Sequence, residues 1–318
     1  MPGPVGREED RMGACRRLAA VLLCSLCSLG ALAGCGGGAE PDAREASGGG
    51  TTSAASAGPT ERVTPRATAA LDSIAVMGHS GATGTLTDPD DVTRDATENS
   101  WATGDSPRVR SIYLRLAGTH PAMVGHNYNV AVNGSTVGDL RAQLQRLLEV
   151  ADPLPDIVIV QTIDNDIRCD GTDADNVAPL GVELGRMLDL VREKVPGVSL
   201  FLVSQWASVQ TYATWAASQP AVVVENSGTG PCDFFTPDGD LRPAGVRSLQ
   251  GIVDGYWGAV EKVCAALPKC WTDEAALQGM SITTEDLARD FNHLSVAGHA
   301  RMASIAWQAF PAEIKERD

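Results

Sequence analysis

Asp156-Ile157-Val158-Ile159-Val160-Gln161 is the stretch on which the fold turns. Four β-branched residues in a row, with no polar residue between them, describe a strand buried on both faces rather than one washed by solvent on one side. Such strands occur in parallel sheets covered by helices. Related short runs at 73–77, 128–132, 198–203 and 221–224 bring the expected strand number to five. Between them the apolar spacing becomes helical: Val109, Ile112, Tyr113 and Leu116 form one stripe, and Val137, Leu140, Leu144, Leu147 and Leu148 another. Further helices are expected near 178–194, 246–266 and 296–310, with Pro196 and Pro268 marking the ends of the first two. The expectation is an α/β fold, a three-layer α/β/α sandwich around a central, mostly parallel five-stranded sheet, in one domain over 69–318. A long Pro- and Gly-containing loop is expected over 226–245.

The N-terminus carries different information. Arg16 and Arg17 precede an apolar run at 18–33 that has the length of an export-signal core and is short for a membrane span. It ends in Leu32-Ala33-Gly34-Cys35, which resembles the lipobox of bacterial lipoproteins. That resemblance implies removal of 1–34 and lipidation of Cys35 at the outer face of a bacterial cell membrane; the alternative is plain secretion after cleavage near Ala33. Glu8, Glu9 and Asp10 are unlike a signal's basic start, and Met12 offers a second start. Residues 35–68 are dominated by Gly, Ser, Thr, Ala and Pro, a composition that cannot bury enough surface to offset its ordering entropy, and read as a flexible tether.

The formal net charge is -15, which disfavours nucleic acid and anionic membrane surfaces as partners and leaves the lipid as the only expected membrane contact. Of the eight cysteines, Cys169, Cys232, Cys264 and Cys270 fall in the folded part. In an oxidising exterior they allow three pairings, of which the short spacing favours Cys264 with Cys270 and so Cys169 with Cys232. Zinc is the competing reading, and no Cys-x-x-Cys pair supports it.

Two segments carry candidate chemistry. The first strand runs into Met77-Gly78-His79-Ser80-Gly81, where flanking glycines would present the Ser80 hydroxyl at a strand tip. Near the other end, Asp290-Phe291-Asn292-His293 spaces a carboxylate three residues from an imidazole. A carboxylate so placed can fix the tautomer of the ring, leaving the other ring nitrogen to take a proton from serine.

Read in order, Gly78-His79-Ser80, Asn129-Val130-Ala131-Val132-Asn133-Gly134, Asn165-Asp166 and Asp290-x-x-His293 resemble the four blocks of the SGNH/GDSL hydrolases, over about 72–310. The resemblance implies their flavodoxin-like fold, with Ser80 as nucleophile, His293 as base and Asp290 orienting it. It implies an oxyanion hole of the Ser80 and Gly134 backbone N–H groups and the Asn165 side chain. The expected activity is hydrolysis of a carboxylic ester by a monomer, through an acyl-enzyme and without metal or other cofactor. Transfer of the acyl group to another alcohol, or a binding lipoprotein that keeps the fold without catalysis, are the alternatives. Two positions depart from the family's pattern: His79 replaces its Asp, and Ile163 stands where a Gly is usual. His79 is expected to point away from Ser80 as local structure. Asp164, Asp166, Asp170, Asp173 and Asp175 lack the spacing and terminal Glu of an EF-hand and read as a solvated loop with a helix N-cap. His299 reads as a surface or packing residue of the last helix.

Overall fold

The computed structural model describes residues 71–225, 227 and 232–316; the signal segment, Cys35 and the tether lie outside the described residues. Five strands, β1 (Ile74–Gly78), β2 (Asn127–Asn129), β3 (Ile157–Gln161), β4 (Ser199–Val203) and β5 (Cys270–Thr272), form one sheet in the order β2-β1-β3-β4-β5. Every pairing is parallel. Alternating side chains, each set entering a core, explain why β1, β3 and β4 are buried throughout. Ile74, Val76, Ile157, Ile159 and Phe201 enter the core on one face, while Ala75, Met77, Val158, Val160 and Leu202 enter the core on the other.

Helices cover both faces. The first core takes Ile112 and Leu116 of α1 (Ile112–Ala117) and, from the C-terminal part of the chain, Met302 and Ala306 of α7 (Val296–Ala309) with Ile314 of α8 (Ala312–Lys315). The second takes the stripes of α2 (Leu140–Val150), α3 (Asp173–Lys194) and α6 (Pro243–Ala265). Two shorter helices, α4 (Val209–Ala216) and α5 (Pro220–Glu225), lie between β4 and α6. They form a third, smaller cluster in which Ala213, Ala216, Val222, Phe234 and Phe235 meet. The three layers and the parallel sheet are as the sequence implies.

One strand is misplaced by the sequence reading. The run 221–224 is helical, part of α5, and the fifth strand is Cys270-Trp271-Thr272. Pro220 sits at the start of α5, where a missing N–H costs nothing and φ is already helical. Its β-branched valines are carried by that start and by the burial of Val222 against the third cluster. The true β5 is three residues long and half-buried at the sheet edge, too short for a periodic signal.

Disulfides join Cys169 to Cys232 and Cys264 to Cys270. The second ties the last turn of α6 to β5 across a sequence separation of 6. Closing so short a loop removes about 2 kcal/mol of unfolded-state entropy. The double change Cys264→Ala/Cys270→Ala is therefore expected to lower the unfolding free energy by about 2 kcal/mol in urea titration. A midpoint unchanged from that of the parent chain would contradict this.

Candidate active site

In an open parallel sheet, ligands gather at the carboxyl ends of the strands where the strand order reverses, here between β1 and β3. Gly78 and Gln161 are paired at that point. Gly78 has φ +140, and a Cβ there would lie 1.9 Å from the Gln161 carbonyl oxygen, so only glycine lets the two strand tips approach. The buried side chain of Gln143 clamps the tip: its Oε1 accepts from the Gly78 N–H at 2.7 Å, and its Nε2 donates to the Gly78 carbonyl at 2.8 Å. Gln143 escaped the sequence reading, although a glutamine one turn from Leu140 and Leu147 in an apolar stripe is the kind of position that signals a buried polar anchor.

Beyond Gly78 the chain makes one 3-10 turn over Ser80–Ala82, capped by His79, whose Nδ1 accepts from the Gly81 N–H at 3.1 Å. His79 is thus local structure, as expected, but it is also 1% exposed. Its Nε2 faces the Asp164 carboxylate at 3.6 Å, and Gln205 holds that carboxylate from the other side. Burial pushes the His79 imidazole below its ordinary basicity; Asp164 opposes this and His293 adds to it. The ring is neutral at pH 7, which suits a cap that must accept a hydrogen bond.

The turn places Ser80 Oγ 2.9 Å from His293 Nε2, and His293 Nδ1 is 2.6 Å from Asp290 Oδ2. With Nδ1–H donating to the carboxylate, Nε2 is left to accept the serine proton, the tautomer the network dictates. Asp290 Oδ1 also accepts from the backbone N–H groups of Asn292 and His293 at 3.1 and 3.0 Å. Burial works against the charged form of Asp290, but these hydrogen bonds outweigh it and hold the carboxyl below its ordinary value. The loop is braced from outside: Ala288 N–H donates to the His293 carbonyl at 2.7 Å, and Tyr212 Oη donates to the Phe291 carbonyl at 2.9 Å. Ser295 then caps α7.

The other blocks converge on the same sheet end. Gly134 lies in a turn at φ +78, and Asn165 Nδ2 donates to the carbonyl of the next residue, Ser135, at 2.9 Å, which joins the second block to the third. Among the described residues the backbone N–H groups of Ser80 and Gly134 have no protein acceptor. Ile163 occupies the left-handed region at φ +88 with its side chain buried in the second core. The glycine-type backbone of that turn is therefore kept with an isoleucine in it, held by packing against the strain.

The acidic stretch is only partly the solvated loop expected. Asp166 is buried and accepts from the Val137 N–H through both oxygens, at 3.2 and 3.1 Å. Asp173, also buried, accepts from the N–H groups of Arg168 and Cys169 and from Tyr256 Oη. These two carboxylates are fasteners of the loop that carries Asn165, a role their sequence context does not announce. His299 is a packing residue: burial, with His293 adding to it, pushes its imidazole down to about 3.

A scan against models of protein families matches none, and a search of curated proteins returns no match. Among solved structures, a phospholipase A1 from Streptomyces albidoflavus NA297 is 14% identical, with 76% of this chain and 100% of that one covered at a TM-score of 0.45. An acetyl xylan esterase, AlAXEase, is 13% identical over 75% and 100% at 0.44, and TesA 16% identical over 74% and 97% at 0.42. Likeness of this degree carries no assignment of activity.

Proposed function

We propose that the chain is a serine ester hydrolase of the SGNH/GDSL type, exported and held at the cell surface by lipid on Cys35. The observation that carries the reading is the unbroken relay from Asp290 through His293 to Ser80, at 2.6 and 2.9 Å. Ser80 Oγ attacks the ester carbonyl while its proton passes to His293 Nε2, and Asp290, ionised, stabilises the imidazolium. Negative charge then develops on the carbonyl oxygen. The Ser80 and Gly134 amides, which have no acceptor among the described residues, and the second N–H of the Asn165 amide are the donors that meet it. His293 returns the proton to the departing alcohol, and water, deprotonated by the same ring, releases the acid from the acyl-enzyme.

Export is supported by the signal-like 18–33, by Leu32-Ala33-Gly34-Cys35, and by two disulfides, which persist in oxidising surroundings. A fluorophosphonate, which reacts with activated serines, tests the assignment directly. Labelling of the folded wild-type chain and loss of it in both Ser80→Ala and His293→Ala is the expected pattern. Labelling that survives in Ser80→Ala, or none in the wild type, overturns the reading.

A further inference from the structure

A cavity of about 260 Å³ opens where the chain leaves β3 and β4. Two of its lining residues adjoin the site in sequence: Asp164 precedes Asn165, and Asn292 precedes His293. Both are exposed, and Asp164 also faces His79. Much of the remaining lining is apolar. Trp206, Tyr212, Phe234, Leu249 and Val253 present rings and branched chains from the loop after β4, from α4, from the loop before α6 and from α6 itself. Phe234 and Val253 are buried, and among the described residues of the lining Asp164 alone is charged.

The wall is also fixed in place. Tyr212 packs edge-on against Trp206 and Phe234, with ring centroids 6.1 and 5.9 Å away. Its hydroxyl is the one that braces Phe291 in the loop of Asp290 and His293. Phe234 follows Cys232 by two residues, and the disulfide to Cys169 ties that segment to the turn after β3. A cavity lined by rings and branched chains, with Asp164 and Asn292 beside the reactive residues, matches a ligand that is polar where it reacts and hydrocarbon beyond.

We infer that this cavity binds the acyl part of the substrate, an unbranched saturated chain of medium length; the inference rests on the reading of Ser80 as ester nucleophile. A cavity of this size has room for several methylenes, which sets the acyl chain in the medium range. Each methylene it buries is worth about a threefold to fourfold gain in kcat/KM.

The test uses the full chain and p-nitrophenyl esters from acetate to dodecanoate, together with a second series in which the acyl group stays acetyl and the alcohol lengthens. Expected is a kcat/KM that climbs about threefold per methylene from acetate into the medium-chain esters and then levels off, with no such climb in the alcohol series. Leu249→Trp and Val253→Phe fill the cavity from α6. In each, the octanoate-to-acetate ratio of kcat/KM should fall by at least about thirtyfold, the value of three lost methylenes. Two variants are used because Val253 is buried and Leu249 only half so. Ser80-dependent hydrolysis that favours acetate, or a climb that follows the alcohol, overturns the acyl pocket and leaves the nucleophile standing. If no ester is hydrolysed, titration of methyl octanoate into the Ser80→Ala chain separates the two claims. Binding that Leu249→Trp abolishes keeps the cavity as a hydrocarbon site and sinks the nucleophile, and absence of binding sinks both.

Discussion

The Ser80→Ala chain is expected to lose on the order of a millionfold in kcat toward any ester the wild type cleaves. The size of the effect follows from the relay acting as a unit. His293 and Asp290 have nothing to activate once Oγ is gone, so removing the nucleophile costs as much as removing the whole set. A residue of about 10³- to 10⁴-fold over water should remain from oxyanion donors and substrate binding alone. Stability is expected to stay within about 0.5 kcal/mol, since among the described residues Ser80 Oγ has His293 as its one hydrogen-bond partner. Steady-state kinetics with the thermal midpoint as control makes the measurement. Activity above a tenth of wild type in Ser80→Ala would falsify the assignment of the nucleophile.

Gly78→Ala should damage stability and activity together. The added methyl would lie 1.9 Å from a backbone oxygen, that of Gln161, so no rotamer change relieves it and the tips of β1 and β3 must part. The residue would also sit at φ +140, where a Cβ is strained. Strain and overpacking together cost about 3 kcal/mol or more. Parting the strands also pulls on the Gln143 clamp and on the His79 N–H, which donates to that same Gln161 oxygen. Ser80 lies two residues on, and a displacement of about 1 Å at a reacting atom costs roughly a hundredfold in turnover. Gly197→Ala is the comparison: φ is again positive, but nothing stands within 4 Å of its Cβ, so only strain of about 1 kcal/mol is expected. Urea midpoints and kcat for both variants decide the matter; equal losses in the two would contradict the steric argument.

What the sequence made legible follows from how locally each feature is encoded. Strands buried on both faces announce themselves through unbroken apolar runs, and β1, β3 and β4 are such strands. The edge strand β5 has no run to show, and the valines of 221–224 mimic a strand because β-branching describes a local preference that a helix start and a buried face can override. In the site, Asp290 and His293 are close in sequence and were readable as a pair. Gln143, Tyr212 and Asp166 act on partners 65, 79 and 29 residues away, and no spacing in the chain reports that. Ile163 is the reverse case: the residue type argued against the glycine-like turn, and packing of its side chain into the second core keeps the turn regardless.

The hydrogen bond between Ser80 and His293 spans 213 residues of chain. Contacts of such range close late, because the entropy of a long loop must be spent before they form. During synthesis the turn of Ser80 is made before His293, which follows it by 213 residues. A nascent or truncated chain can therefore assemble most of its sheet and still have no proton acceptor for its serine. On the proposed reading, hydrolysis becomes possible only when these two distant segments of the domain have met, which would make turnover itself a measure of how much of a preparation has finished folding.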